Sequence, residues 1–491
     1  MLNKNKKFYI TTSIVYTNAF PHIGFALESI QADVIARYQR LLGKEVFFLT
    51  GTDEHGAKVA KSAEKDRRNP KEFVNEISKK VKNLKQILNL SNDDFIRTTN
   101  KTRHWAAVKK VWLKLEKNGD IYKRKYKGLY CRGCEAFITK KDLKNEKCRI
   151  HRIKTEVIEE ENYFFRLSKY SKKIEEILKK NIIRIIPSGR KNENLSFIKK
   201  GLKDISFSRP RKDLKWGIPV PGDRSQTIYV WADALSNYIS ALGFAENSKK
   251  FQKFWPADVH CIGKDIQKFH CLIWPGMLLS LKLPLPKTIF VHGFITVAGK
   301  KMSKSIGNVI DPFKLVKKYG TDTVRYFLLR EIPSTEDGDF TYEKFEQRHN
   351  ADLASGIGNL ASRVLTMAQG IHSTPNIRSS KFQPIITKTW KNYHKNLKEF
   401  KFNETLIAIW RLINFCDKYI DKERPWEKTK NQKIKIHNLL FILGHIAHML
   451  RPFLPTTSEK IFQQLGVSPE DKKPWRFRVK KGKSLFPRLA S

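Results

Sequence analysis

The chain opens with an apolar and threonine-rich stretch over residues 8–15, which reads as a strand buried on both faces. A Thr17-Asn18 turn follows, and Pro21 stands where a helix can begin, since the first helical position needs no backbone donor. Ile23, Leu27, Ile30, Val34 and Leu41 then recur at helical spacing on one face until Gly43. Val46, Phe47, Phe48 and Leu49 form the next strand-like run, so the opening is a βαβ unit with parallel strands. From Pro70 to Lys117 the pattern predicts mostly helix, with Asn69 as its N-cap and Phe73, Ile77, Val81, Leu84 and Leu88 on one face.

Between 121 and 225 the periodicity gives way to cysteines, glycines, charged runs and short apolar segments, the pattern of an insertion that splits an α/β domain. Strand patterns resume over residues 228–231, 260–263 and 288–291, with helical stretches between them. Beyond Lys344 the signal is almost wholly helical, as at Leu406, Ile409, Trp410 and Ile413, and predicts a closing helical bundle. A chain of 491 residues exceeds what one core supports. The expected organisation is a first half of the α/β domain at 1–120, an insertion at 121–225, a second half at 226–343 and a helical domain at 344–491.

Composition narrows the class. A hydrophobic fraction of 40% with 31 Phe and 10 Trp is that of a folded protein, which excludes general disorder. The 95 Lys+Arg against 48 Asp+Glu give a net charge of +47, which favours polyanionic partners, although a lysine-biased proteome explains the same excess and the lysines are spread over almost every segment. Lys4, Lys6 and Lys7 precede no signal-peptide core, and the longest apolar stretch, residues 439–450, contains two histidines and is far short of the ~20 residues a membrane helix needs. With only six cysteines the chain reads as a cytoplasmic protein with metal-binding thiols rather than a disulfide framework. Cys131-x2-Cys134-x13-Cys148-x2-His151 has the ligand spacing of a closed, structural tetrahedral Zn2+ site. Cys261, Cys271 and Cys416 sit in apolar surroundings and read as inert core residues.

Two segments carry phosphate chemistry. His22 and Gly24 fall at the first turn of the first helix, directly after a strand, where unpaired backbone N–H groups and the helix dipole favour an anion and the imidazole adds a donor. A histidine that merely caps the helix explains Pro21-His22-Ile23-Gly24 equally well. Lys300-Lys301-Met302-Ser303-Lys304-Ser305 lies between Gly299 and Gly307, a loop able to close two lysine charges over a triphosphate. Other phosphate motifs are excluded: Gly293 meets Ala298 where a Walker A loop needs glycine, and no G-x-G-x-x-G follows the first strand.

The His-Ile-Gly turn, the Lys-Met-Ser-Lys-Ser loop about 280 residues further on and the βαβ context resemble the class I aminoacyl-tRNA synthetases. Within that class the chain is similar to the methionyl family along nearly its whole length. The matching segments are Tyr16, Thr50-Gly51-Thr52-Asp53-Glu54-His55-Gly56, Trp216-Gly217-Ile218-Pro219-Val220-Pro221, Tyr229-Val230-Trp231-Ala232-Asp233-Ala234, Gly263-Lys264-Asp265-Ile266, Phe269-His270 and Asn359-Leu360-Ala361-Ser362-Arg363. The resemblance implies an α/β fold with a Rossmann-type parallel catalytic sheet, a zinc-binding connective insertion and an all-α anticodon-binding bundle. One departure stands out. The family's first signature is His-x-Gly-His, and here Phe25 replaces the second histidine, with neither a hydrogen-bond donor nor a charge.

By the same resemblance, Ile14, Tyr16, Trp231, Ala234, Leu235, Tyr238 and His270 line a methionine side-chain slot and Asp53 pairs with the substrate ammonium. On residue type alone, Tyr16, Trp231 and Tyr238 read equally as core packing and Asp53 as a solvated carboxylate. Gly24, Glu28, Gly263 and Asp265 match residues around ATP, and His22, Ser303, Lys301 and Lys304 the phosphate groups; Lys264 beside Asp265 also reads as a surface ion pair. The implied chemistry is attack by the methionine carboxylate on the α-phosphate of ATP-Mg2+, expelling pyrophosphate, with His22, Lys301 and Lys304 in electrostatic roles and no covalent nucleophile. Transfer to the 2′-hydroxyl of the tRNA end follows. Asn359, Arg363 and Trp426 match positions that read the CAU anticodon, where amide, guanidinium and indole suit unstacked bases; Trp426 as bundle core is the alternative. The last 21 residues hold eight Lys/Arg against one Asp and suit RNA phosphate, and the expected state is a monomer. Two other functions stay open: a non-catalytic tRNA-binding paralogue, motivated by Phe25, and a related ligase that adenylates another amino acid.

Overall fold

The computed structural model describes residues 6–133, 136–138, 142–302, 307–370, 372–373, 382–471 and 475–489. They form two compact units between which the chain passes repeatedly. The first comprises 1–21, 43–83 and 92–291, the second 22–42, 84–91 and 292–491.

The first unit is built on a sheet of seven strands: β1 Lys7–Thr12, β2 Val15–Tyr16, β3 Glu45–Asp53, β4 Asp94–Arg97, β5 Arg184–Ile186, β6 Val259–Gly263 and β7 Thr288–His292. Their order is β5-β7-β6-β1-β3-β2, with β4 also on β3. β1 runs parallel to both β3 and β6, aligning Ile10 with Phe48 and with Val259. Burial from Phe8 to Thr12 on both faces explains why the run is apolar without alternation. Gly51 lets β4 approach β3, because a Cβ there would lie 2.1 Å from the Ile96 carbonyl oxygen.

Two sequence expectations need correction here. The helix expected from Pro70 to Lys117 is interrupted: Pro70–Ile87 is followed by β4, a π-turn at Lys101–Trp105 and the helix Ala106–Lys117. Asn69 does cap the first helix, its Oδ1 accepting from Lys71 N at 2.9 Å. The first helix stops just before Asn89 turns left-handed at φ 49°, and Asp93, whose carboxylate accepts from Phe48 N at 2.7 Å, leads into the strand. The strand expected over 228–231 ends at Ile228, and Val230–Leu235 is helix. Tyr229 N still donates to Phe207 O, after which Ala232, Asp233 and Ala234 favour the helical turn, with Asp233 at its positive end.

Residues between the halves of the sheet form antiparallel structure. Ile121–Cys131 pairs with Glu156–Phe165, flanked by Ala136–Ile138 and Ile205–Ser206, and Asp223–Ile228 pairs with Ser208–Pro210 and Pro219–Val220.

The second unit contains the helix Ile23–Leu41 and the helices Tyr342–Arg348, Asn359–Met367, Gln383–Lys398, Phe402–Glu423, Gln432–Leu450 and Pro455–Leu465. The early helix is bonded to late segments along its length. Ile23 N donates to Ile310 O at 3.1 Å, Gln31 to Ser334 O at 3.4 Å, and Tyr38 Oη meets His394 Nδ1 at 2.9 Å. At its middle, fully buried Asp33 faces Arg325 at 2.8 Å. Arg325 also donates to the carbonyls of Leu88, Pro452 and Phe453, so every arm of the guanidinium is used. Among the described residues no helix is long and apolar enough to cross a membrane.

Candidate active site

In the first unit the carboxyl ends of the parallel strands present the amino-acid candidates, as expected for an open α/β sheet. Tyr16 is aligned with Asp53 across β2 and β3, and Thr17 donates to the Asp53 carbonyl through both N (2.9 Å) and Oγ1 (3.0 Å). Asp53 is buried, at the end of a strand whose next residue, Glu54, is ion-paired to Arg97 at 2.6 Å. Trp231, Ala234 and Leu235 lie on one short helix and Tyr238 just after it; Ala234, Leu235 and Tyr238 are buried, Trp231 half-buried, and Ile14 packs against the same core.

The π-turn Phe269–Ile273 sets two adjacent rings against that helix. Phe269 stacks on Trp231 with centroids 3.4 Å apart and planes 9° from parallel, while His270 Nε2 meets Tyr238 Oη at 2.6 Å. His270 Nδ1 lies 3.1 Å from the Ile266 carbonyl, an acceptor, so Nδ1 carries the proton and Tyr238 donates to Nε2. Burial pushes His270 down to about 4 and holds His260, whose ring lies 4.1 Å from that of Tyr238 between centroids, well below its ordinary value. Both imidazoles are therefore neutral, and the ring cluster they form with Tyr238 is aromatic and uncharged. A thioether suits such a surface, because sulfur accepts hydrogen bonds weakly and packs well on rings. Gly263 closes β6, and Asp265 follows in an exposed turn.

Sequence reasoning gave Phe269, His260, His55, His104 and Asp233 no role. Phe269 and His270 were adjacent in one matching segment, so the second aromatic wall had a visible signal; His104, inside an expected helix, had none. His55 Nδ1 and His104 Nε2 each lie 2.6 Å from a different oxygen of Asp233. Burial alone would raise the Asp233 carboxyl, but the His55 and His104 imidazoles overcome it and hold it below the usual carboxylate range.

In the second unit His22 is the N-cap of the helix Ile23–Leu41 and its Nδ1 accepts from Gly24 N at 3.0 Å. The backbone donors expected to be unpaired are taken: Ile23 N by Ile310 O, Gly24 N by the imidazole, Phe25 N by His22 O at 3.0 Å. With Nδ1 accepting, the proton sits on Nε2, and burial pushes His22 below its ordinary value, so the ring offers an anion a neutral N–H. Gly24 is demanded by that ring, since a Cβ would lie 2.8 Å from His22 Cε1. Glu28, one turn deeper, holds His292 Nε2 at 2.8 Å, and His292 Nδ1 meets the Gly293 carbonyl at 2.7 Å. Ile295–Val297 and Lys300–Lys301 form a hairpin through Ala298 and Gly299, both at positive φ, with Gly299 N and Thr296 Oγ1 bound to the Asp339 carboxylate. Lys301 stands at the end of this hairpin, exposed; Ser303 and Lys304 lie outside the described residues.

Cys131, Cys148 and His151 bring one ligand atom each to within 4.8 Å of one another, and Cys134 lies outside the described residues. Two thiols and an imidazole this close suit a soft divalent ion. On the helical side Asn359 is exposed at the start of its helix and Arg363 follows one turn later, bonded to Asp421 at 2.7 Å and 3.8 Å from Asp417. Trp426 is 49% exposed, which settles the bundle-core alternative against it.

A parallel sheet whose first strand leads into a histidine-capped helix, with a lysine hairpin late in the chain, is the pattern of the class I aminoacyl-tRNA synthetases. The family model for class I tRNA synthetases of the (M) type matches residues 8–142 and 138–365, and the model for the anticodon-binding domain of tRNA ligases matches 385–484. The methionine–tRNA ligase of Caldanaerobacter subterraneus is 44% identical over 99% of this chain and 79% of its own length; that of Bacillus subtilis is 42% identical over 100% and 79%. Among solved structures, Mycobacterium tuberculosis methionyl-tRNA synthetase in complex with methionyl-adenylate superposes with a TM-score of 0.93 at 35% identity, covering 98% of this chain and all of that one; the free form gives 0.86 at 32%, covering 99% of each. The chain belongs to the methionyl-tRNA synthetase family.

Proposed function

We propose that the chain activates methionine with ATP and transfers it to the 3′ end of tRNA(Met), releasing AMP and pyrophosphate, with the residues divided as follows. Asp53 receives the substrate ammonium; Ile14, Tyr16, Trp231, Ala234, Leu235, Tyr238 and His270 take the side chain. The buried, neutral Tyr238–His270 pair and the stacked Trp231 and Phe269 rings carry this reading, because together they offer aromatic surface without charge. Gly24, Glu28, Gly263 and Asp265 bind the nucleotide, whose Mg2+ enters with ATP, and His22, Ser303, Lys301 and Lys304 stabilise charge on the phosphates. The carboxylate of methionine is already a competent nucleophile, so these groups position and stabilise rather than abstract a proton. Asn359, Arg363 and Trp426 contact the anticodon. Cys131, Cys134, Cys148 and His151 hold a structural Zn2+, which ties the insertion together when bound. The domains divide at 120, 225 and 343, and the enzyme works as a cytoplasmic monomer.

ATP–pyrophosphate exchange with a panel of amino acids tests this: methionine alone should support exchange. No exchange with any amino acid would favour a tRNA-binding paralogue, and preference for another amino acid a different ligase. Phe25 leaves one donor of the family signature missing, and we read Lys301, Lys304 and backbone N–H groups as its replacement. Phe25→His should then change exchange little; an acceleration of ~10²-fold, the size of one lost transition-state donor, would refute compensation.

A further inference from the structure

The reaction leaves unused a fully buried carboxylate near the amino-acid candidates. Asp233 is 0% exposed and lies on the helix that carries Trp231, Ala234 and Leu235. Its Oδ2 accepts from His55 Nδ1 and its Oδ1 from His104 Nε2, each at 2.6 Å, and His104 Nδ1 meets Ser240 Oγ at 2.8 Å. His55 stands two residues after Asp53, its ring set edge-on to Trp105 and Trp216 with centroids 5.8 Å away in both cases. Trp216 Nε1 donates to the Glu54 carbonyl and Gly56 N to the Trp216 carbonyl, so the loop around His55 is held on both sides. One carboxylate thus joins three segments: the loop after Asp53, the slot helix and the π-turn Lys101–Trp105.

Apolar side chains would hold these segments together at lower desolvation cost than a buried carboxylate and two imidazoles. What they lack is direction. Two short charge-assisted bonds fix where the loop lies along the helix, and so fix the separation of Asp53 from Trp231. We infer that Asp233, His55 and His104 are positioning residues that set the spacing between the ammonium-binding carboxylate and the aromatic wall, and thereby the affinity for methionine but not for ATP. This rests on the methionine-binding reading of Asp53 and Trp231 above.

The test compares variants that keep or remove each donor. In His55→Asn and His104→Gln an amide N–H takes the place of the ring N–H; in His55→Leu and His104→Leu nothing does. KM for methionine and for ATP is measured in the exchange assay, with melting temperature alongside. The leucine variants should raise the methionine KM about tenfold or more, as expected of a buried acceptor left unpaired, with the ATP KM within about twofold. The amide variants should recover most of that loss. Leucine variants with an unchanged methionine KM, an equal rise for both substrates, or amide variants as impaired as leucine would each overturn the inference. If the leucine variants do not fold, Ser240→Ala decides, since it removes the outer partner of His104, with one bond to the Asn237 carbonyl, and leaves both donors to Asp233 in place: a methionine KM raised about twofold or more supports the inference, and an unchanged one overturns it. Failure of the unmodified chain to exchange with methionine would sink the functional reading itself; normal exchange with insensitive variants sinks only the positioning role.

Discussion

Acid should loosen the amino-acid slot before carboxylate protonation does, and the cause is His270. Burial holds its imidazole at about 4, against 6.5 for the ordinary group, with Nδ1–H on the Ile266 carbonyl and Nε2 accepting from Tyr238. Between these two values the unfolded chain binds a proton at this position that the folded chain refuses. Stability from His270 is therefore full above 6.5 and falls as the pH drops toward 4. At a pH of about 4.5 the ratio of the two binding polynomials is roughly 75, which corresponds to about 2.5 kcal/mol lost relative to neutral pH. The perturbation is His270→Gln, which removes the titrating group. Urea unfolding followed by tryptophan fluorescence, for both proteins at about pH 4.5, 5.5 and 7.5, isolates the linkage as a difference of differences. The stability advantage of the unmodified chain should shrink by about 2.5 kcal/mol from neutral pH to about pH 4.5. A constant difference across that range would refute the neutral-imidazole reading.

Tyr238→Phe strips the donor from His270 Nε2 and should weaken methionine binding about tenfold with ATP binding unchanged, read by fluorescence titration. Arg325→Leu takes one of two arginines from the buried Asp33 carboxylate, which keeps Arg37 at 2.8 Å and the Ser91 donors, and should destabilise the second unit by about 1–3 kcal/mol in chemical denaturation, more than Asp33→Asn combined with it. Burial first and the neighbouring Asp421 second raise Asp417 to about 6, opposed by Arg363, so its charged form is the unfavourable one in the folded chain. Because the folded state holds this proton more tightly than the unfolded one, stability falls as pH rises from the ordinary carboxylate range to about 6. Asp417→Asn should accordingly raise the melting temperature at about pH 8 and leave it unchanged at about pH 4.

Much of this arrangement was legible in the sequence. The first strand, expected over 8–15 and found at Lys7–Thr12, follows from a run buried on both faces, and the helix after Pro21 and the late helical bundle follow from helical periodicity. What was not legible depends on partners far along the chain. β4 is four residues with two charges, and only its neighbour β3 makes it a strand. Trp231 reads as a strand residue by composition, and helix wins because the sheet bonds end at Tyr229. The helix start at His22 was legible, but not the state of its backbone donors. Its N–H groups are bonded within the chain, and the donor left for an anion is an imidazole whose tautomer is set by Gly24. His104 and His292 carried no periodic or motif signal, since a buried polar contact between distant segments leaves no trace in local spacing.

The helix that carries His22 also constrains how the protein comes into being. Its packing partners arrive late: His292 and Ile310 first, then Arg325 and Ser334, and at last His394, which is 356 residues beyond Tyr38. During synthesis, at ~5–20 residues per second, this helix leaves the ribosome tens of seconds before the segments that bury Asp33 and Tyr38. Until then a buried-type carboxylate and an apolar stripe face water or other surfaces. The nascent chain thus completes the packing around this helix only when translation of its last helices is nearly done, so an incomplete product is unable to present His22 in its final setting.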